Sequence, residues 1–143
     1  VLESNKMVIP FFLRMLYTKG KRKGKGNMDI KGFYDEIGPD VSDVEKRLGS
    51  LTTAEYFVKK FAKDQTYSAL TEAYKSGDGE KAFRAVHTLK GLCANLGFDK
   101  LYASSSVLTE ALRGNKPVAG TEISYEAVKK DYETLIAALE KMD

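Results

Sequence analysis

Apolar residues recur at intervals of three and four positions from Met28 to the end of the chain, and strand-like alternation is missing. This spacing gathers the apolar side chains of each segment on one face of an α-helix. The connections between the segments are short, so we expect successive helices to pack antiparallel. The sequence therefore predicts an all-α fold, an antiparallel four-helix bundle with additional short N-terminal helices.

Residues that start or stop helices mark the boundaries of the first segments. Asp40 or Ser42 is expected to cap a second short helix. That helix is expected to carry a stripe of Val41, Val44, Leu48 and Leu51. Thr52 and Glu55 have the spacing of a capping box, in which two side chains satisfy the free N–H groups at the start of the third helix.

The net charge of +3 comes from the first 27 residues, which hold seven basic side chains and one acidic side chain. Residues 28–143 hold 16 basic and 19 acidic side chains, a net charge of −3. We therefore expect a basic leader or extension, residues 1–27, outside a helical domain formed by residues 28–143. The acidic domain gives no electrostatic indication of a nucleic-acid partner. The apolar run at 7–17 is too short to span a membrane, and a membrane-surface anchor is the less favoured interpretation of the leader.

The only histidine of the chain, His87, lies near the middle of the longest predicted helix. Gly77 is placed to end the preceding helix, Asp78 to cap the long one, and Gly97 to end it. On a helical wheel the apolar face opposite the histidine is formed by Ala85, Leu89, Leu92 and Leu96. We therefore expect the imidazole to face solvent.

Lys90 and Gly91 follow His87 at i+3 and i+4, on the same side of the helix. A neutral imidazole is a nucleophile near pH 7, and Lys90 can supply positive charge to a phosphoryl group on the ring. Glycine in an exposed helix costs roughly 1 kcal/mol relative to alanine. A missing side chain at Gly91, followed by the small Ala94, indicates that another protein approaches this surface closely.

The run from Ala85 to Gly97 resembles the signature of histidine-containing phosphotransfer (HPt) domains: a His, two residues, Lys-Gly, and Leu-Gly five residues further on. The preceding Gly77 to Arg84 is similar to the run that opens this helix in the family. A weaker similarity extends from Met28 to about Arg113. It leaves out residues 1–27, and the last helix matches only as an amphipathic helix.

This resemblance implies a phosphoryl carrier. His87 would accept phosphate from the aspartate of one receiver domain and pass it to another, while Lys90 stabilises charge on the phosphoryl oxygens. The residues expected to meet the docked receiver are Gly91, Arg84, Phe83, Ala94 and Thr109. HPt proteins often place a polar residue near the imidazole at the Thr109 position, where some relatives carry the longer Gln. Phe83 is expected to pack under a neighbouring helix or to form an apolar part of the docking surface.

No cofactor is expected on this chain, because the receiver would contribute Mg²⁺. One histidine and one cysteine fall short of a structural zinc site, and Cys93 is expected to be a core thiol. The expected partners are response-regulator receiver domains and a hybrid histidine kinase, in the cytoplasm, with no small-molecule substrate.

Three other interpretations of the sequence are open. The main alternative is a non-catalytic helical interaction domain that uses the His87 surface only for docking. A sensor-kinase dimerisation domain normally has an acidic residue after its histidine, whereas Thr88 follows here, and no ATP-binding motif is present. A nucleic-acid binder would depend on the basic stretch 18–25, which offers only non-specific affinity.

Overall fold

Helices dominate the structure, a computed structural model that describes residues 28–142. The prediction for the leader, residues 1–27, lies outside the described residues. The seven helices are α1 (Ile30–Ile37), α2 (Val41–Leu48), α3 (Leu51–Phe61), α4 (Thr66–Ser76), α5 (Gly79–Leu96), α6 (Asp99–Leu112) and α7 (Glu122–Leu139). Residues 28–142 contain no strand beyond an isolated bridge between Met28 and Met142. The all-α prediction is confirmed.

Helices α4 to α7 form the four-helix bundle. Each packs against the next along the chain, and stacked tyrosines close the ring between α4 and α7. Tyr67 stacks on Tyr132 with ring centroids 3.8 Å apart, and Tyr74 stacks on Tyr125 at 4.0 Å. The earlier tyrosine of α4 stacks on the later tyrosine of α7, and the later one of α4 on the earlier one of α7. The two helices are therefore antiparallel. In this ring α5 lies diagonally opposite α7.

Helices α1 to α3 cover the end of the bundle at which α5 stops. The buried rings of Phe33, Tyr34, Phe61 and Phe98 contact one another there. The Arg47 guanidinium of α2 donates to the carbonyl oxygens of Ala94 and Asn95 at 2.9 and 3.0 Å. These carbonyls belong to the last turn of α5, where no intrahelical partner is available. The short helices therefore fix the position of the C-terminal end of α5.

The predicted ends of the long helix are confirmed. The Asp78 side chain accepts a hydrogen bond from the Lys81 N–H at 3.0 Å, and Gly97 adopts a left-handed conformation with φ +74°. A Cβ at Gly97 would also come within 2.9 Å of Val44. Glycine is therefore required there both by the backbone conformation and by the contact with α2.

The boundary between α2 and α3 differs from the prediction. Asp40 caps α2 by accepting from the Ser42 N–H, but α2 ends at Leu48 and Leu51 opens the next helix. The predicted capping box of Thr52 and Glu55 is wrong. Ser50, in an extended conformation, accepts from the Thr53 N–H at 3.1 Å, and Glu55 pairs with Lys59 instead. The reason is Gly49, whose φ of +99° stops α2 and leaves Ser50 at the N-cap.

Among the helices of residues 28–142, none combines the length and the apolar character that crossing a membrane requires.

Candidate functional site

The two sides of α5 differ sharply in burial. Its buried residues are Ala82, Ala85, Val86, Leu89, Cys93 and Leu96. Leu92 is half-buried, and His87 is exposed on the opposite side. The capped ends of α5 and the two helices that flank it hold this surface in place. The structure thus presents the only imidazole of the chain to solvent from a well-anchored helix.

Phe83 lies one turn before His87 and contacts it. The two rings meet edge to face, with centroids 5.7 Å apart and planes at 71°. The half-buried Phe83 ring also lies under Arg113, whose guanidinium carbon is 5.4 Å from the ring centroid. Phe83 therefore packs beneath a side chain of the neighbouring helix and also forms part of the surface around the imidazole.

Arg113 is held by Glu110, one turn earlier at the end of α6. Its Nε and Nη2 donate to the two carboxylate oxygens at 3.0 and 2.8 Å. The hydrogen bonds from Arg113 lower the pKa of Glu110, and the charges of Arg113, Lys90 and His87 lower it further. The Glu110 carboxylate therefore faces the same surface as the histidine and the lysine.

Lys90 lies half-buried between α5 and α6. Its ammonium is 6.0 Å from the ring centroid of Tyr102 on α6, at the outer limit of a cation–π contact. Within residues 28–142 no carboxylate forms an ion pair with it. Its charge is therefore available to an anion at His87.

Gly91 and Ala94 leave the next turn of α5 open. Both residues are exposed, and a Cβ added at Gly91 would meet nothing within 4 Å. Packing within the described residues therefore gives no reason for glycine at this position. The open surface beside the imidazole is consistent with close approach by a partner.

Arg84 and Thr109, the other two predicted docking residues, lie in different environments. Arg84 is exposed and pairs with Glu80 at 3.0 Å, with both side chains 66% exposed. Thr109 is completely buried, and its hydroxyl donates to the carbonyl of Ser105 at 2.7 Å. The docking prediction for Thr109 is wrong, because a short side chain enclosed between helices and bonded to its own helix cannot meet a docked protein.

Two residues of α6, Tyr102 and Glu110, and its C-cap residue, Arg113, belong to this surface and were missed by the sequence reasoning. Tyr102 and Arg113 are eleven positions apart, three helical turns, so they lie on one stripe. Glu110 and Arg113 have the i, i+3 spacing of a helical ion pair. These signals are present in the sequence, but they do not reveal that the stripe faces His87.

Cys93 lies on the buried face, and burial raises the pKa of its thiol to about 12. In the part of the chain that the structure describes, no group of three or more His, Cys, Asp or Glu side chains is placed to hold a metal ion.

The chain matches a known protein family. A family model described as Hpt domain matches residues 41–141, which include α2 to α7 and every residue of the surface around His87. No curated protein and no solved structure shows a significant match to this chain.

Proposed function

The chain belongs to the Hpt domain family, and on this premise we propose that His87 is the residue that carries the phosphoryl group. Membership gives the chain a histidine phosphotransfer role in two-component signalling. One observation supports the assignment to His87 above all others. The only imidazole of the chain is exposed on α5, with the Lys90 ammonium, which forms no ion pair within residues 28–142, and the open Gly91 position on the same side.

In the proposed step a neutral ring nitrogen of His87 attacks the phosphorus of a receiver's aspartyl phosphate in line. A nitrogen–phosphorus bond forms while the oxygen–phosphorus bond breaks, and the aspartate leaves as a carboxylate with the electron pair. No proton is transferred, since the second ring nitrogen keeps its hydrogen. The reverse step on a second receiver returns His87 to the neutral form.

The chain needs little catalytic machinery of its own for this exchange. Phosphoryl transfer depends mainly on positioning and on charge stabilisation. Lys90 provides positive charge on this side, while Mg²⁺ and most catalytic groups belong to the receiver. Under this proposal the protein is a phosphoryl carrier that has neither an ATP site nor a cofactor.

The proposed partners are response-regulator receiver domains and a hybrid histidine kinase, which places the protein in the cytoplasm. The docking surface consists of Phe83, Arg84, Gly91 and Ala94 on α5. We also retain the division into a leader at 1–27 and an Hpt domain at 28–143.

The test mixes the full chain with a receiver domain phosphorylated with labelled phosphate. The label should move to this chain as an acid-labile, base-stable adduct. His87→Gln should abolish the uptake and leave the helical circular dichroism unchanged, because the side chain is exposed. Ala127→Gln, on the exposed side of the diagonally opposite α7, is the matched control and should be labelled normally.

Label on the His87→Gln variant would show that the acceptor is another residue. A wild-type chain that binds phosphorylated receivers but never takes up label would favour the non-catalytic interaction domain instead.

A further inference from the structure

We propose that Arg113 is a second phosphoryl-binding cation, which Glu110 holds in the unphosphorylated protein and which exchanges this carboxylate for the phosphoryl group on His87. The inference rests on the proposed function of His87 and adds to it a residue of α6 that binds the transferred group. It also assigns Glu110 the role of a competing anion that sets how tightly the phosphoryl group is held.

The geometry brings Arg113 to the histidine through one shared neighbour. The Phe83 ring contacts the His87 imidazole edge to face, and the Arg113 guanidinium lies over the same Phe83 ring. Phe83 and His87 are fixed on α5, whereas Arg113 is the C-cap residue of α6, where the backbone leaves the helix. A long side chain at this point can swing across the aromatic ring without any movement of the bundle.

The present partner of Arg113 is one that a phosphoryl group can replace. The pair with Glu110 is bidentate, but both side chains are more than half exposed, at 51% and 61%. Exposed pairs of this kind contribute little to stability. A phosphoryl group carries a charge of −1.5 to −2 and three acceptor oxygens, and it also suits the planar guanidinium. The dianion should therefore compete successfully with a single carboxylate.

The charges around His87 make a second cation useful. Phosphorylation adds negative charge near the Glu110 carboxylate, which interacts electrostatically with His87. While Arg113 stays paired with Glu110, the phosphoryl group faces Lys90 without a contribution from Arg113. The lowered pKa of Glu110, caused first by Arg113 and then also by Lys90 and His87, shows that an anion at this place experiences all three groups. Movement of Arg113 to the phosphoryl oxygens would put two cations on the new dianion.

The experiment measures the equilibrium constant for phosphoryl exchange between this chain and a receiver domain. Its value depends only on the free energies of the separate phosphorylated and unphosphorylated proteins. A variant that merely weakens docking therefore changes the rate and leaves the equilibrium unchanged. Each variant is incubated with the labelled receiver at low concentration, and the label on both proteins is counted after a plateau is reached.

Arg113→Gln should shift the equilibrium toward the receiver by about two- to fivefold, the size expected for an exposed charge contact. Glu110→Gln should shift it in the opposite direction, toward this chain, because Arg113 is then free. Arg113→Lys should restore part of the loss. Lys59→Gln, which breaks the exposed Lys59–Glu55 pair on α3, is the matched control and should leave the equilibrium unchanged.

Equilibria equal to wild type in both Arg113→Gln and Glu110→Gln would overturn the inference, provided that the wild-type chain is labelled. Shifts of the same sign in the two variants would also overturn it. A wild-type chain that takes up no label would instead overturn the proposed function itself, so the two failures are distinguishable.

Discussion

The hydroxyl of Tyr34 in α1 donates to the carbonyl oxygen of Leu96, the last residue of α5, at 2.5 Å. Tyr67 of α4 is equally enclosed, but its hydroxyl has no hydrogen-bond partner within residues 28–142. Thr71, one turn further on, donates to the backbone carbonyl of Tyr67. Two buried tyrosines of one bundle thus differ in whether the phenol is satisfied.

The same substitution should therefore have opposite effects at the two tyrosines. Tyr34→Phe removes a buried hydrogen bond and should lower the free energy of unfolding by about 1 kcal/mol. Tyr67→Phe removes an unsatisfied buried hydroxyl and keeps the stacked ring, so it should be neutral or stabilising by up to about 1 kcal/mol. Urea unfolding followed by circular dichroism measures both. A destabilisation of similar size in the two variants would show that Tyr67 has a partner after all.

Replacement of two glycines of α5 by alanine should change the free energy of unfolding in opposite directions. Gly91→Ala adds a Cβ in open space, so the higher helix propensity of alanine should raise the free energy of unfolding by up to about 1 kcal/mol. At Gly79 the added Cβ would collide with the carbonyl oxygen of Lys116 and approach Pro117. Because backbone atoms must move, Gly79→Ala should destabilise by about 1–3 kcal/mol. Thermal unfolding of the two variants measures both effects. A melting temperature of Gly79→Ala above that of wild type would contradict the predicted collision.

The orientation of the His87 side chain toward solvent could be predicted from the sequence because it depends on one helix alone. Asp78 and Gly97 fix the ends of α5, and the helical period then decides which residues face the core. The same reasoning failed between α2 and α3, where Ser50 and Thr52 are both good N-cap residues. The choice between them depends on the backbone conformation of Gly49, which the pattern of apolar residues does not reveal.

The contribution of α6 could not be predicted in the same way. Which of its side chains approaches α5 depends on the rotation of α6 about its own axis, and this rotation is set by packing across the whole bundle. The observed rotation buries Thr109 and brings Glu110 and Arg113 to the His87 surface. Sequence spacing placed these residues on one helix but could not orient that helix against its neighbour.

The thiol of Cys93 should report on unfolding of the bundle. Burial raises its pKa to about 12, so almost none of the reactive thiolate is present in the folded protein at pH 8. In the unfolded chain the thiol has an ordinary pKa of about 8.5 and a substantial thiolate fraction. Alkylation by iodoacetamide at pH 8 should therefore be slow in buffer and fast in denaturing urea, as followed by mass spectrometry. Rapid alkylation of the folded protein, with its circular dichroism unchanged, would mean that α5 opens locally.

Substitution of Gly91 by a long side chain tests whether a partner must approach this turn of α5. Gly91→Gln projects into solvent next to His87, where the fold itself has room for it, so the free energy of unfolding should stay within about 1 kcal/mol of wild type. A receiver that has to bring its aspartate to the imidazole would meet the new side chain, and the rate of phosphoryl transfer should fall at least about tenfold, a barrier increase of about 1.4 kcal/mol. Rapid-quench measurement of label transfer gives this rate, with Ala127→Gln on the opposite side of the bundle as the control for an added glutamine. Wild-type transfer rates in Gly91→Gln would show that the open turn has no part in docking, and the small residue at this position would then need another explanation.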